Sequence, residues 1–438
     1  MRFLWCLAVT ACWWTAPAQV LESRPADPAF ARFQPLKAPE PKGLLLQPGD
    51  RLAIIGDSIT EQRLYSRLME TYLTVCRPDL RVTVRQYGWS GETAEGFKGR
   101  MAQDCLRFQP TIATTCYGMN DHRYMPFDAA NGQWYRDNQQ AIIRAFKQAG
   151  TRVVLGSPGC VGPKVPWSKA SAEDMNLNLC ELRNLDLKLA QEEGVTFADV
   201  FWPMLTLGWQ ASQQYGTNFL LAGKDSVHPG WSGQVVMATA FLQALGLDGD
   251  LGTFTVDLRG NSARAQGQHE VVSFQDGRLT LRSRQYPYCA PPGELSDDNS
   301  VRAGLALTKF NDRFNRLRLV VENAPADRYR LTWGKESKEF TAAQLKAGIN
   351  LPAEFVVTPF DAAFNQVDEA VGRKQAYETR QIKTLFHGEE GKTDIEATVA
   401  LTERTRAPLA QAIQDRFQPV THTLELTPLS SRGGTGDQ

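Results

Sequence analysis

The sequence predicts an α/β fold in which a parallel sheet is covered by helices on both faces and is followed by a β-rich module and a helical extension. Three observations predict it. Short apolar runs recur between residues 52 and 199, most of them followed by a stretch with helical spacing. Glycines that suit helix ends close three of those stretches, at Gly150, Gly194 and Gly246. After residue 251 the pattern shifts to short runs suited to strands, with Asp276-Gly277 as a hairpin turn between two of them.

The 438 residues suggest two domains, or one large domain with an added module. Residues 1–18 read as an export signal. Arg2 gives a positive start, residues 3–14 are an apolar run too short to span a bilayer, and Ala16-Pro17-Ala18 supplies a cleavage pattern. Lipoprotein processing at Cys12 competes, but it leaves a very short signal. The expected location is secreted or periplasmic. Residues 19–48, rich in Pro and Ala, predict a linker or N-terminal wrap with little regular structure.

Residues 49–250 carry the alternating elements. Strands are expected at 52–55, 82–87, 111–117, 152–155 and 195–199, and helices at 60–76, 94–106, 138–148, 172–193 and 230–245. Residues 251–355 predict a small antiparallel β-rich module with strands at 253–258, 271–274, 279–282, 317–321 and 329–333. Its aromatics Tyr286, Tyr288 and Trp333 are expected in the core. Residues 356–390 predict a helical extension, and residues 391–438 a polar, partly disordered tail.

Lys plus Arg and Asp plus Glu both number 48, so the net charge is zero and no global basic field favours nucleic acid or anionic membranes. No segment after the signal is long and apolar enough for a membrane helix. Six cysteines remain beyond it: Cys76, Cys105, Cys116, Cys160, Cys180 and Cys289. In an exported chain some are expected to be bridged and some simply buried. No CxxC pair and no Cys/His cluster points to structural zinc.

In a parallel sheet, ligands sit beyond the carboxyl ends of the strands, which directs attention to the strand-to-helix turns. Ser58 stands at the first such turn, where the competing role is a helix N-cap. A serine hydroxyl becomes a good nucleophile when a base takes its proton. Asp225 and His228, three residues apart, offer a base and a carboxylate to orient it. Of the other histidines, His269, His387 and His422 read as ordinary polar residues of the later module or tail. Acyl transfer also needs donors for a developing oxyanion, and Gly91 and Asn120 offer them. Each residue has an ordinary turn role as an alternative.

Four segments occur in order: Gly56-Asp57-Ser58-Ile59-Thr60, Gly88-Trp89-Ser90-Gly91-Glu92-Thr93, Gly118-Met119-Asn120-Asp121 and Asp225-Ser226-Val227-His228-Pro229. In this combination the chain resembles the SGNH (GDSL-type) hydrolases over residues 49–246, specifically secreted bacterial enzymes similar to carbohydrate acetylesterases. Ile59 stands where the GDSL name has leucine. The resemblance implies a flavodoxin-like, three-layer α/β/α fold with a five-stranded parallel sheet in the order 2-1-3-4-5, and neither metal nor organic cofactor. It implies Ser58 as nucleophile, His228 as base and Asp225 as the residue that orients His228. It implies an oxyanion hole formed by the N–H groups of Ser58 and Gly91 and the Asn120 amide. Gly91 fits that role better than Gly88 because it directly precedes Glu92-Thr93. Asp57 and Asp121 match structural supports. Trp89, His122, Arg123 and Tyr124 are candidates for the substrate mouth.

The expected function is a secreted serine esterase working through an acyl-Ser58 intermediate, acting on an acylated small molecule or glycan, foremost by O-deacetylation of polysaccharides or oligosaccharides. The alternatives are a lysophospholipase or lipase, and a non-catalytic carbohydrate-binding protein on an esterase scaffold. The chain contains no Gly-x-Ser-x-Gly elbow and no Walker A, HExxH or GxGxxG pattern.

Overall fold

A computed structural model describes residues 20–429; the expected signal with Cys6 and Cys12, and the last nine positions of the expected tail, lie outside the described residues. The five expected strands form β1 (Arg51–Gly56), β2 (Thr83–Gln86), β3 (Ile112–Cys116), β4 (Arg152–Gly156) and β5 (Thr196–Ala198). They pair in the order β2-β1-β3-β4-β5, all parallel. Successive side chains on β1 alternate between two cores, Leu52 and Ile54 on one face, Ala53 and Ile55 on the other. A strand buried on both faces explains why it reads as an unbroken apolar run.

The covering helices are α1 (Ser58–Glu61), α2 (Tyr65–Val75), α3 (Ala94–Asp104), α4 (Ala129–Gln148), α5 (Ala172–Glu193), α6 (Phe201–Tyr215) and α7 (Trp231–Ala244). The caps set several of their limits. Ser171 accepts from the Asp174 N–H at 3.0 Å, and Gly194 ends α5 at φ +65°. Three expectations change. The helix expected over 60–76 is broken, with Arg63 at φ +60° between α1 and α2, although no Gly or Pro marks the break. The helix expected from 138 begins at Ala129 because Asp128 caps it, accepting from Asn131 N–H at 2.8 Å. The third change is α6, which was not expected at all. Pro203 falls in its first turn, where a missing N–H costs nothing.

The later strands are β6 (Asp250–Asp257), β7 (Ser262–Ala265), β8 (His269–Gln275), β9 (Arg278–Ser283), β10 (Arg316–Glu322), β11 (Arg328–Trp333), β12 (Glu336–Thr341), β13 (Ile349–Asn350) and β14 (Val420–Pro428). They make two sheets, β13-β10-β6-β7 and β12-β11-β14-β9-β8, rather than one antiparallel module. The β6–β10 pair is parallel; the other pairs are antiparallel. Tyr286, Tyr288 and Trp333 are buried, as expected.

The later helices are α8 (Val301–Leu307), α9 (Phe310–Phe314), α10 (Ala342–Ala347), α11 (Leu351–Glu354), α12 (Asp361–Arg380), α13 (Glu389–Thr393) and α14 (Ile395–Arg416), with a π-helical stretch, Gln381–Phe386, directly after α12. The segment expected to be a polar, partly disordered tail supplies α14 and β14 within its described residues. Strand β14 lies in the middle of the second sheet, with His422, Leu424 and Leu426 turned inward by its period of two.

The later elements close on the parallel sheet. Helix α7 is buried on nearly every side, an apolar helix that needs cover on the face away from the sheet, and α8 packs there. One continuous core runs from β1 through α2 and α7 into β6, β9 and β10. The open edge of β2 is satisfied by side chains of the C-terminal helices: Lys374 and Arg406 donate to the Val84 carbonyl at 2.5 and 3.3 Å, and Glu378 accepts from Gln86 N–H at 3.2 Å. The N-terminal wrap crosses α6, where Phe30 lies edge-on to Trp202 and Trp209. The six described cysteines are all free and buried, so the expected mixture with disulfides is corrected: buried thiols act as small core side chains. No helix among the described residues is long and apolar enough to cross a membrane.

Candidate active site

Strand β1 ends against α1, so Ser58 becomes the first residue of the helix. Asp57 performs the capping, accepting from Ile59 N–H at 2.9 Å, and this leaves the Ser58 hydroxyl free of that task. Gly56 is required just before it. A Cβ there would lie 2.2 Å from Thr60 Oγ1 and 2.8 Å from the Cys116 carbonyl. Ser58 Oγ lies 2.8 Å from His228 Nε2, and His228 Nδ1 lies 2.7 Å from Asp225 Oδ2. An ionised carboxylate only accepts, so Nδ1 carries the proton and Nε2 is left to accept from the serine hydroxyl.

The loop carrying the histidine is shaped for this pairing. Asp225 Oδ1 accepts the Val227 and His228 backbone N–H groups at 3.0 and 2.9 Å. Burial disfavours the Asp225 charge, but the bonds from the His228 N–H, the His228 ring and the Val227 N–H outweigh it and hold the carboxyl below its usual range. Gly223, at φ +88°, passes so close beneath that a Cβ would lie 1.8 Å from the His228 carbonyl. The side chains of His228 and Asp225 keep about a third of their surface open to solvent, 31% and 38%.

Two glycines of the second motif divide the work there. A Cβ on Gly88 would lie 2.2 Å from the Glu61 nitrogen, so Gly88 is the point where the loop rests on α1. Gly91 has φ +74° and open space beside it, as the approach of a substrate requires. Bonds at the strand ends hold this loop, Trp89 N–H to the Gly56 carbonyl at 3.0 Å and Asn120 Nδ2 to the Glu92 carbonyl at 2.9 Å, and Ser90 N–H bonds Glu61 Oε2 on α1 at 2.5 Å. Among the described residues, the Ser58 and Gly91 N–H groups have no protein acceptor, and Asn120 keeps a second amide hydrogen. These are the donors an oxyanion needs.

Buried acids support the loops. Asp121 accepts Ala94 N–H at 2.9 Å and Gly118 N–H at 2.8 Å, and burial lifts its carboxyl to about 6. Burial lifts Asp57 to about 7, with the nearby charges of Asp121 and Glu92 adding and the Ile59 N–H opposing. Glu92 is paired with Arg100 at 2.6 Å and accepts from Tyr117 O–H at 2.6 Å.

The structure removes His122 from the expected substrate mouth. His122 is fully buried, its Nδ1 2.6 Å from the Met119 carbonyl, and burial lowers its pKa to about 4. Arg123 lies over Trp134, 5.2 Å from its ring centre. Trp89 is half-buried, with Arg100, Lys383 and His387 all within 5.5 Å of its ring centre. Tyr124 is placed nearer the chemistry: its O–H donates to Asn120 Oδ1 at 3.3 Å, and its ring meets the exposed Trp167 edge-on at 5.5 Å. Sequence reasoning missed Trp167, whose only local signal was an aromatic in a Pro-rich loop. It also missed Glu61 and Lys383, which are far apart in the chain.

Residues 54–236 match the model of the GDSL-like lipase/acylhydrolase family. An acetylxylan esterase from Geobacillus stearothermophilus is 24% identical over 226 residues, 46% of this chain and 95% of that protein. Among solved structures, a gut microbial diltiazem-metabolizing enzyme superposes with a TM-score of 0.71 at 20% identity, covering 89% of this chain and 100% of that one, so the fold is shared across the later sheets as well. The acetylxylan esterase Axe2 of Geobacillus stearothermophilus covers 47% of this chain and 97% of its own at 20% identity, with a TM-score of 0.39. Residues 54–236 are a GDSL-like lipase/acylhydrolase domain of the SGNH type, and the chain that carries them is a carboxylic ester hydrolase resembling carbohydrate acetylesterases.

Proposed function

We propose that this protein is an exported serine esterase that removes O-acetyl groups from polysaccharides or oligosaccharides through an acetyl-Ser58 intermediate. The observation that carries the serine chemistry is the unbroken line of hydrogen bonds from Ser58 Oγ through His228 to Asp225. Ser58 Oγ attacks the acetyl carbonyl carbon while His228 Nε2 takes its proton. The Ser58 and Gly91 N–H groups and the Asn120 amide stabilise the tetrahedral oxyanion. The ester C–O bond then breaks, and the sugar oxygen leaves with the proton from His228. Water attacks acetyl-Ser58, gives a proton to His228, and the collapse returns that proton to Ser58 Oγ and frees acetate.

Sequence similarity to an acetylxylan esterase supports the acetylated-glycan class. So does the Tyr124–Trp167 surface beside Asn120, since flat aromatic faces suit the C–H faces of sugars. The sequence of residues 1–18 supports export. One observation favours long-chain esters instead. A cavity of about 720 Å³, lined by Phe30, Phe33, Phe219 and Leu221, reaches Gly162, whose N–H donates to the Ser226 carbonyl in the histidine loop. Acetate release from a panel of acetylated glycans, with p-nitrophenyl esters of rising chain length alongside, decides between them. Preference for acetyl supports the proposal; preference for long acyl chains overturns it.

A further inference from the structure

The C-terminal helices reach the Gly91 loop through one carboxylate. Glu61 is the last residue of α1, three positions after Ser58. Lys383, on the π-helical stretch after α12, donates to Glu61 Oε1 at 2.9 Å and Oε2 at 2.8 Å. Glu61 Oε2 also accepts the Ser90 N–H at 2.5 Å, and Ser90 directly precedes Gly91. The bonds of Trp89 N–H to Gly56 and of Asn120 to the Glu92 carbonyl, like those of the Glu92 side chain to Arg100 and Tyr117, use partners from the α/β unit alone; the Ser90 N–H instead bonds a carboxylate held by a lysine 322 residues along the chain. Lys383 touches the same loop again, with Nζ 5.5 Å from the centre of the Trp89 ring, and His387 lies edge-on to that ring. Burial disfavours a charge on Glu61, but Lys383 and Ser90 outweigh it and hold the carboxyl below its usual range.

Gly91 makes this tether consequential. At φ +74°, with nothing within 4 Å of where a Cβ would sit, no side-chain packing fixes its peptide direction, which leaves that task to the hydrogen bonds of the loop. An oxyanion donor must be fixed before the reaction if it is to lower the barrier. We infer that Lys383 is a positioning residue for ester hydrolysis, holding Glu61 so that the Ser90–Gly91 segment presents the Gly91 N–H to the oxyanion. This rests on the proposed oxyanion role of Gly91. It gives the C-terminal extension a part in the reaction beyond covering the β2 edge.

The test compares full-length Lys383→Met and Lys383→Arg with wild type on p-nitrophenyl acetate, with thermal midpoints measured in parallel. Lys383→Met is expected to lose about tenfold in kcat with KM within about twofold, the signature of a donor misplaced in the transition state. Lys383→Arg, which keeps a cation for Glu61, is expected to recover most of the loss. Unchanged kcat in Lys383→Met overturns the inference. A fall in kcat that follows the thermal midpoint and is not recovered by arginine overturns it too. Glu61→Gln carries the same test if Lys383→Met does not fold: it keeps an oxygen for Ser90 N–H but weakens the lysine pair, and wild-type kcat there also overturns the inference. Ser58→Ala separates the two levels. Retained activity in Ser58→Ala removes the proposed mechanism itself. An inactive Ser58→Ala beside a fully active Lys383→Met removes only the role of Lys383.

Discussion

Among the described residues, two places set a serine hydroxyl against a histidine nitrogen. At the carboxyl end of β1, Ser58 meets His228 at 2.8 Å. In the second C-terminal sheet, Ser283 of β9 meets His422 at 2.9 Å and His269 at 2.7 Å. Distance alone does not separate the two. The far nitrogens do. His228 Nδ1 faces a carboxylate, whereas His422 Nδ1 accepts from Trp333 Nε1–H at 3.2 Å and His269 Nε2 donates to the Leu251 carbonyl at 2.8 Å. The second set is a closed chain of neutral donors and acceptors, running from Trp333 through His422 and Ser283 to His269 and Leu251. A proton taken from Ser283 would leave an imidazolium in the core with no counter-charge. Ser283 has no exposed surface and His422 keeps 4% of its own, while His228 keeps about a third of its side chain open. The comparison teaches that a Ser–His contact becomes chemistry only with a carboxylate behind it, access in front of it and oxyanion donors beside it.

The largest expected effect tests that contrast head on. Ser58→Ala should lower kcat on p-nitrophenyl acetate by roughly 10^4- to 10^6-fold. Ser283→Ala should leave kcat unchanged and instead lower stability by about 1–3 kcal/mol, because two buried histidine nitrogens lose their partner. Next is Asp225→Asn, which keeps the geometry but favours the wrong tautomer of His228; a kcat loss of about 10^4 is expected, and steady-state kinetics measures it. Asn120→Ala removes one of the proposed oxyanion donors and should cost about 10^2- to 10^3-fold in kcat. An effect confined to KM would move Asn120 from the oxyanion to substrate binding.

The smallest effect concerns pH and the second serine. Burial first, and then His269, pushes the His422 pKa from 6.5 down to about 3. Between those values the unfolded chain binds a proton that the native ring refuses, so this contribution to stability is present above about 6.5 and is lost as pH falls toward 3. Asp57 has the opposite sign. Its carboxyl is raised from 3.8 to about 7, so its contribution is present at low pH and is lost as pH rises through 7. Hydrogen exchange on β9 and β14, corrected for intrinsic rates, should show protection falling from pH 7 to pH 4. His422→Gln should flatten that slope; an unchanged slope would detach the acid sensitivity from this histidine.

The two regions also differ in how much of them the sequence made legible. The α/β unit announces itself because its strands are buried on both faces and its site residues fall in short turns at the strand ends. Ser58, Asp225 and His228 therefore stand out locally, and the structure brings them within hydrogen-bonding distance. The second region hides in residues that read as ordinary and polar. In β14 the inward-facing His422, Leu424 and Leu426 alternate with Thr and Glu, and the segment reads as a tail until β9 and β11 are placed on either side of it. His122 looked like part of the substrate mouth because it follows Asp121, yet its backbone and ring bonds turn it into the core. Glu61 and Lys383 carried no joint signal, since a pair 322 residues apart becomes visible only when the C-terminal helices dock on the β2 edge.

The most direct test of the central claim is covalent labelling by an active-site organophosphonate, followed by peptide mapping. One adduct on Ser58, absent from Ser58→Ala and reduced in Asp225→Asn, is the predicted result. An adduct on Ser283 or another serine, or undiminished esterase turnover by Ser58→Ala, would contradict it.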